Sequence, residues 1–129
     1  MNTPAPCPCG SGRTYAACCG RWHAGELHLQ APDAEALMRS RYSAYVLGLG
    51  EYLRDTWHAS TRPAEPFGFD PALRWLGLEV RRHAPTDAHH AVVEFVARSK
   101  LGGRAQRLHE TSRFVREAGR WLYIDGELK

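Results

Sequence analysis

The sequence lacks cysteine over most of its length, because all four cysteines lie between Cys7 and Cys19. It also lacks any apolar run of the roughly 18 residues that a membrane-spanning helix needs. Residues 1–6 have neither the basic nor the apolar stretch of a secretory signal peptide. These absences indicate a cytoplasmic protein with no membrane segment, in which thiols stay reduced and disulfides are not expected.

Lysine is also scarce, since only Lys100 and Lys129 occur among the 17 basic residues. The formal net charge is +3, and four thiolates holding one Zn²⁺ would lower it to about +1. This charge is too small to support nucleic-acid binding on net charge alone. Nucleic-acid or ribosome association through Arg13, Arg21 and the arginines further along the chain stays an alternative. The sequence contains no nucleophile elbow, phosphate-binding loop or hydrolytic metal motif.

The cysteines form the pattern Cys-x-Cys, eight residues, Cys-Cys. Four thiolates suit a closed tetrahedral zinc site, so the pattern predicts one structural Zn²⁺ held by Cys7, Cys9, Cys18 and Cys19. Gly10 and Gly12 follow the first pair and allow the backbone to curl around sulfur. Two disulfides, a redox role or an iron site remain alternatives. His23 is a further candidate ligand, but four cysteines fill a tetrahedron, and we expect it to be a surface or packing residue.

The same residues resemble a known motif. Cys7-Pro8-Cys9-Gly10-Ser11-Gly12, then Tyr15 and Cys18-Cys19-Gly20, are similar to the SEC-C motif. That motif is the zinc-binding element at the C-terminus of the translocase ATPase SecA, where it contacts the chaperone SecB. Its last ligand is often histidine, and Cys19 stands in that place here. The resemblance implies zinc binding and a protein-docking role for residues 1–24.

Residues 25–129 have the composition and length of one globular domain. Pro32 and Asp33 predict the start of a helix over 34–47, with Asp33 as its N-cap. Gly48 and Gly50 are expected to end it. A second helix is predicted over 51–59, with Tyr52, Leu53, Thr56 and Trp57 facing inward and His58 at its end. Asp70-Pro71 predicts a third helical turn.

The spacing of apolar residues then changes to a period of two, which indicates strands over 75–83, 89–99, 105–116 and 120–125. Leu76, Leu78 and Val80 are predicted to share one face of the first strand. Tight turns at 85–87, 101–103 and 117–119 predict an antiparallel meander. Helices followed by such a sheet make an α+β protein.

The resemblance extends over nearly the whole chain. Segments 37–45, 52–58, 75–78, 110–114 and 121–126 are together similar to the YchJ-like family. This implies an NTF2-like cone, in which helices pack into the concavity of a curved antiparallel sheet, following the SEC-C unit. NTF2-like sheets frequently form homodimers. Many members carry a second SEC-C motif after the last strand, which this sequence does not contain, so a function that needs two zinc units is not expected.

An NTF2-like cone often encloses a pocket. We expect its polar and aromatic lining to come from Arg41, Tyr45, Trp57, His58, Glu110, Ser112 and Tyr123. Period-two geometry places Glu110 and Ser112 on one strand face and Arg113 on the other. His58 with Glu110 and Arg41 is a candidate catalytic group, with His58 as base and Glu110 as its orienting carboxylate. His58 at a helix end, interacting with its dipole, is the alternative.

The leading hypothesis is a zinc protein whose SEC-C unit docks a protein partner and whose cone binds a ligand or partner. A small-molecule enzyme in the cone is the alternative, and the missing catalytic motifs favour binding over catalysis. Zinc as a staple for residues 1–24 alone is a further alternative.

Overall fold

The chain folds into short helices followed by a single sheet, in a computed structural model that describes residues 5–129. The elements are α1 (Gly20–His23), α2 (Ala34–Leu47), α3 (Gly50–Asp55), β1 (Leu73–Asp87), β2 (His90–Leu101), β3 (Arg104–Glu117) and β4 (Arg120–Leu128). The sheet is a meander in the order β1-β2-β3-β4 with every neighbouring pair antiparallel. The expected α+β, NTF2-like architecture is therefore confirmed. No helix within residues 5–129 is long and apolar enough to cross a membrane.

Helix α2 has the boundaries that its local signals predict. The Asp33 carboxylate accepts a hydrogen bond from the Ala36 amide at 2.7 Å, which caps the first turn. Gly48 ends the helix in the left-handed conformation, with φ 73°, and donates its amide to the Ala44 carbonyl. One face of α2 lies in the concavity of the sheet, where Leu37 is buried with Val93 and Phe114 from the strands.

Helix α3 is shorter than the sequence predicts. It begins at Gly50, which we expected only to help end the preceding helix. It ends at Asp55 because the next residues pair with β4. The His58 amide donates to the Tyr123 carbonyl at 2.7 Å, and the Tyr123 amide donates to the Thr56 carbonyl at 2.8 Å. This parallel bridge at Trp57 uses backbone groups that a longer helix would need for itself.

The strands are longer than predicted, and two local expectations are corrected. The segment Asp70-Pro71 forms only a turn, in which the Asp70 carboxylate accepts from the Ala72 amide at 2.9 Å, and β1 begins directly afterwards at Leu73. β1 also continues through Pro85 to Asp87. The hairpin between β1 and β2 therefore lies two residues later than the sequence indicates.

Leu76 does not share a face with Leu78 and Val80, contrary to our expectation. The pairing of β1 with β2 shifts between Trp75 and Gly77, which is the signature of a β-bulge at Leu76. An extra residue reverses the alternation, so Trp75, Leu78 and Val80 pack against the core. Leu76 points away from it and is 58% exposed.

Candidate functional site

The first cysteine pair lies on a tight ribbon. Pro6 and Thr14 form an antiparallel bridge, and the Cys7 amide donates to the Arg13 carbonyl at 2.9 Å. Between them the chain turns through Gly10 and Gly12, whose φ angles are 78° and 87°. Such angles suit glycine, and they let the ribbon fold back so that Cys7 and Cys9 face the same side.

The second cysteine pair arrives on a turn at Tyr15. The Tyr15 carbonyl accepts hydrogen bonds from the amides of Cys18, at 3.0 Å, and Gly20, at 2.9 Å. A Cβ at Gly20 would lie 2.8 Å from that carbonyl oxygen and 2.9 Å from the Tyr15 ring. Gly20 therefore permits the close turn that brings Cys18 and Cys19 beneath the ribbon.

All four sulfur atoms converge in a buried cluster. The Sγ atoms of Cys7, Cys9, Cys18 and Cys19 lie within 4.8 Å of one another, and all four cysteines are free thiols. The Cys9 and Cys18 sulfurs are 3.6 Å apart, close to the spacing of about 3.8 Å that Zn–S bonds of about 2.3 Å require in a tetrahedron. The donor set therefore fits a metal that prefers four thiolates, and it is compatible with metal binding.

Hydrogen bonds within the cluster favour a thiolate at one position. The thiol of Cys19, together with the Ser11 hydroxyl and the thiol of Cys7, holds the pKa of Cys9 at about 4, well below its ordinary value. The same contact with Cys9, and burial, raise the pKa of Cys19. The Ser11 hydroxyl also lies 3.2 Å from the Cys18 sulfur. Within the cluster, negative charge is therefore favoured on the Cys9 sulfur over the Cys19 sulfur.

The cysteine unit packs directly against helix α2. Arg39 donates from Nη1 to the Cys9 carbonyl at 3.0 Å and from Nε to the Glu35 carboxylate at 3.0 Å. On the next turn of the helix, the Ser43 hydroxyl lies 3.6 Å from the Cys7 sulfur. These contacts fix the unit on the outer side of α2.

His23 provides the third link to α2, which the sequence did not indicate. Its Nε2 lies 2.8 Å from the Ser40 carbonyl, which can only accept, so Nε2 carries the proton. Nδ1 therefore accepts a hydrogen bond from the Tyr15 hydroxyl at 2.5 Å. Burial lowers the pKa of His23, in agreement with a neutral ring. The ring packs against Tyr52, in keeping with the expected packing role, and it also connects the turn at Tyr15 to the helix.

The chain of hydrogen bonds continues from Ser40 into the domain. The Ser40 hydroxyl donates to the Leu37 carbonyl at 2.7 Å, so it accepts from the Tyr52 hydroxyl, also at 2.7 Å. Tyr52 is buried, and burial raises its pKa to about 12. Its ring also meets the His23 ring edge-on, with centroids 4.6 Å apart. Tyr15, His23, Ser40 and Tyr52 thus join the cysteine unit to α2 and α3.

The opposite side of α2 faces a pocket in the concavity of the sheet. Its volume is about 290 Å³. The walls are mainly aromatic and come from Tyr42, Tyr45, Trp57, Trp75, Phe95 and Tyr123. Arg41, Glu110 and Ser112 supply the polar groups of the lining. This arrangement of many aromatic walls and few polar groups is typical of small-molecule sites.

Arg41 is buried in the pocket wall, with only 4% of the residue exposed. Its Nη1 donates to the Leu53 carbonyl at 2.8 Å and to the Thr56 hydroxyl at 2.7 Å. The guanidinium carbon lies 5.0 Å from the centre of the Trp57 ring and 4.8 Å from that of Tyr123. Two aromatic faces and two oxygen acceptors therefore hold a positive charge beside the pocket.

Glu110 brings the opposite charge to the same pocket. Its carboxylate accepts a hydrogen bond from the Ser112 hydroxyl on the same face of β3. The side chain lies over Gly126 of β4, where a Cβ would come within 2.5 Å of the carboxylate. Arg113, between Glu110 and Phe114 in sequence, points to the other face and pairs with Asp125 at 2.6 Å.

The structure places His58 outside the pocket, which corrects our expectation for this residue. The bridge at Trp57 turns His58 outward, where its Nε2 lies 2.6 Å from Glu117 and its Nδ1 lies 2.7 Å from the Ser60 hydroxyl. The other expected lining residues, Arg41, Tyr45, Trp57, Glu110, Ser112 and Tyr123, surround the one pocket. The candidate group of His58, Glu110 and Arg41 is therefore not brought together. Tyr42 and Trp75 also line the pocket, although the sequence did not indicate a site at either residue.

Family models match most of the chain. The model described as "YchJ, middle NTF2-like domain" matches residues 33–126, and the SEC-C motif model matches residues 4–21. The second match contains all four cysteines, and the first contains the residues that line the pocket.

Relatives of high identity include proteins named UPF0225. The one from Methylibium petroleiphilum is 64% identical over 98% of this chain and 91% of its own length. That from Bordetella pertussis is 57% identical over 99% of this chain and 96% of its own length. A similar solved structure is the solution structure of a SEC-C motif-containing protein from Rhodopseudomonas palustris, with a TM-score of 0.80, 37% identity and 98% coverage of both chains. A crystal structure of a SEC-C motif-containing protein from Psychrobacter arcticus has a TM-score of 0.77 and 30% identity, over 98% of this chain and 83% of its own.

Proposed function

This chain belongs to the YchJ-like (UPF0225) family of proteins with a SEC-C motif and an NTF2-like domain, and we propose that it is a zinc-stabilised ligand-binding protein. The four cysteines hold one structural Zn²⁺, and the pocket beneath α2 binds a small aromatic molecule. The observation that carries the binding function is the pocket of about 290 Å³ with its aromatic walls and its buried Arg41.

Zinc is the metal that best suits these ligands. Zinc in structural sites commonly takes four thiolates in a tetrahedron, and such sites contribute directly to the stability of small folded units. The four sulfurs are buried among protein atoms, so a metal here has no ligand position open for substrate. The proposed role is therefore structural.

Metal analysis tests the zinc assignment. Protein purified without added zinc is expected to contain about one zinc per chain by mass spectrometry, and Cys9→Ser and Cys18→Ser to contain much less. Ala17→Ser is the matched control, because it introduces the same hydroxyl at an exposed position beside Cys18. Wild-type protein that carries no metal, or that carries iron, would contradict the assignment.

The pocket is better suited to binding than to catalysis. None of the described residues in its lining is a histidine or a cysteine, and His58, the base considered from the sequence, pairs with Glu117 outside it. The Glu110 carboxylate of the lining can accept a proton, but without His58 the catalytic group considered from the sequence is incomplete. Binding needs only the shape, the aromatic surface and the fixed polar groups.

Indole is a suitable first probe of the pocket, because it is neutral, planar and small. Saturation-transfer NMR should detect binding to the wild-type protein. Ala97 lies in the pocket lining, so Ala97→Leu should occupy part of the space and weaken binding about tenfold or more. Ala105→Leu, at an exposed position on the neighbouring strand β3, is the control. Absence of indole binding at the pocket would argue against the proposed function.

Protein docking is a second candidate, favoured by a groove where the cysteine unit meets the start of α2. The groove measures about 500 Å³ and contains Arg13, Arg21 and Trp22 beside Asp33 and Glu35. The Arg21 guanidinium lies 4.5 Å from the centre of the Trp22 ring, which holds an arginine and an aromatic side chain together as interface hot spots often do. With the zinc-loaded protein as bait, Arg21→Glu should abolish the capture of a partner that the wild-type protein binds. Equal capture by the wild-type and variant baits would eliminate this candidate.

A further inference from the structure

The charges of the pocket restrict the chemistry of its ligand, given the proposed binding function. We infer that the pocket takes an uncharged planar molecule that accepts a hydrogen bond from Arg41 and donates one to Glu110, in the manner of an aryl amide or a neutral nitrogen heterocycle. Four features of the lining support this class: its aromatic walls, the free donors of Arg41, the carboxylate of Glu110 and the balance of their charges.

The walls select for a flat ring. Tyr45 and Trp75 lie with ring centroids 6.0 Å apart, and Trp57 meets Tyr123 edge-on at 4.9 Å. A planar aromatic ligand can stack on one of these faces and meet another with its edge, which are the geometries that aromatic pairs prefer. Leu108 also lines the pocket, is 38% exposed and adds apolar surface.

Arg41 offers donors to the ligand. A guanidinium has five N–H donors and no acceptor, and the protein acceptors of Arg41 bond only to Nη1. Among residues 5–129, no oxygen or nitrogen accepts from its Nε or Nη2, although the residue is only 4% exposed. Every fully buried polar side-chain atom in the same part of the chain has a hydrogen-bond partner, so these nitrogens reach the pocket space. They are available to an acceptor on a bound molecule.

Glu110 offers the complementary group. A carboxylate accepts hydrogen bonds at both oxygens, and within the described residues only its Oε2 has a partner, the Ser112 hydroxyl. Because Gly126 has no side chain, the carboxylate lies against the backbone of β4 and keeps its position at the pocket wall. A ligand N–H beside it would complete its hydrogen bonding.

The balance of charge excludes ions. Arg41 and Glu110 are the charged side chains of this lining, and the remaining lining residues are uncharged at neutral pH. An anionic ligand would be attracted by Arg41 and repelled by Glu110, whereas a cationic ligand would be repelled by Arg41 and attracted by Glu110. In a pocket lined mainly by aromatic side chains each mismatch is unfavourable, whereas a neutral molecule with one acceptor and one donor satisfies both groups.

A matched set of three probes tests the inference. Benzamide, benzoate and benzamidinium have nearly the same size and shape, but they are neutral, anionic and cationic. NMR titration of the wild-type protein, followed at the indole N–H signals of Trp57 and Trp75, should give benzamide an affinity at least about tenfold higher than either ion. Tighter or equal binding of benzoate or benzamidinium would overturn the inference.

A variant then tests the role assigned to the negative charge of Glu110. Glu110→Gln keeps the size of the side chain and removes its charge, so benzoate should gain about tenfold in affinity and benzamidinium should lose a similar factor. Arg113→Gln, which changes a charge on the opposite face of the same strand, should leave all three affinities unchanged. An unchanged order of affinities in Glu110→Gln would also overturn the inference.

The outcomes separate this inference from the proposed function. If indole binds and benzamide does not, the pocket is a binding site but its ligand belongs to another class. If none of the four probes binds, both the binding function and the ligand class are rejected. The wild-type titrations alone decide these cases, so the result does not depend on the folding of any variant.

Discussion

His23 has two hydrogen bonds whose directions are fixed by its partners. The Ser40 carbonyl requires a proton on Nε2, and the Tyr15 hydroxyl then donates to Nδ1. Both bonds are partly buried, and burial holds the pKa of the ring below its usual value. A neutral imidazole with this tautomer is one of few side chains that can accept on one side and donate on the other across a ring. His23 therefore acts as a specific connector between the cysteine turn and α2.

Replacing His23 with phenylalanine should destabilise the protein. The ring volume is nearly kept, but the Tyr15 hydroxyl and the Ser40 carbonyl lose their partner. At about 1 kcal/mol for each hydrogen bond, we expect His23→Phe to lower the free energy of unfolding by about 2 kcal/mol. Urea denaturation of the zinc-loaded protein measures this change.

Tyr15→Phe and His90→Phe serve as controls for this substitution. Tyr15→Phe removes one of the two bonds and should have roughly half of the effect. His90 pairs with Asp87 in the exposed hairpin between β1 and β2, so His90→Phe should change the stability by less than about 0.5 kcal/mol. A His23→Phe protein as stable as wild type would contradict the connecting role.

Single residues were predictable where their chemistry is local. The spacing of Cys7, Cys9, Cys18 and Cys19 indicates their convergence because the glycines and the turn that bring them together lie within the same segment. The connecting role of His23 and the outward position of His58 could not be predicted, because their partners, Ser40 and Glu117, are distant in the sequence. No period or motif reports such a partner. One available signal was that His23 follows Cys19 by four residues and so lies one helical turn away from it.

At the scale of elements, the bulge in β1 decides which side chains reach the core. The register between β1 and β2 shifts at Leu76 and again near Arg81 and Thr86. Each bulge adds local twist and bend to the strand, and the resulting curvature gives the sheet the concavity that receives α2. The sequence pattern alone predicts a regular strand, in which Leu76 and Leu78 would be equivalent.

Substitutions at Leu76 and Leu78 distinguish these two arrangements. Leu78 packs against the core, so Leu78→Ala should lower the free energy of unfolding by about 2 kcal/mol. Leu76 is 58% exposed, and Leu76→Ala should change it by less than about 0.5 kcal/mol. The same chemical change two positions apart provides the control, and thermal unfolding is sufficient to rank the two variants. Equal losses would indicate a regular strand without the bulge.

Some helix boundaries are set by nearby residues and others by residues distant in the sequence. Helix α2 was predicted well because Asp33 and Gly48 act within one turn of the helix ends. The end of α3 was misplaced because it is set by the backbone bridge to Tyr123, more than 60 residues later in the chain. Helix propensity is a local property that does not depend on that bridge, so the sequence alone predicts a longer helix than the structure contains.

At the scale of the whole molecule, α2 is a shared wall between the cysteine unit and the pocket. Arg39, Ser40 and Ser43 face the cysteine unit, while Arg41 and Tyr45 line the pocket. Neighbouring residues of α2 therefore belong to two different sites. A change that loosens one side of α2 should alter the position of the other.

Metal removal tests this coupling. Removal of the proposed zinc would break the sulfur–metal bonds that hold the turn at Tyr15, and the contacts of Arg39, His23 and Ser43 with the cysteine unit should weaken. We expect the melting temperature to fall by at least about 10 °C, since structural zinc sites contribute several kcal/mol to folding. Hydrogen exchange should increase at residues 36–44 of α2, and the affinity for benzamide should fall by about threefold or more.

The central strands supply the internal reference for this experiment. Val93 and Phe114 lie on adjacent central strands, β2 and β3, and are buried, so their amides should keep their protection after chelation. Restoring zinc should return both the exchange rates of α2 and the affinity for benzamide, which separates loss of metal from irreversible damage. If chelation instead affects residues 7–23 alone and leaves α2 and benzamide binding unchanged, zinc is a local staple and the two sides of α2 are independent. Because His23 and Arg39 each form hydrogen bonds between the cysteine unit and α2, we expect chelation to affect both α2 and benzamide binding.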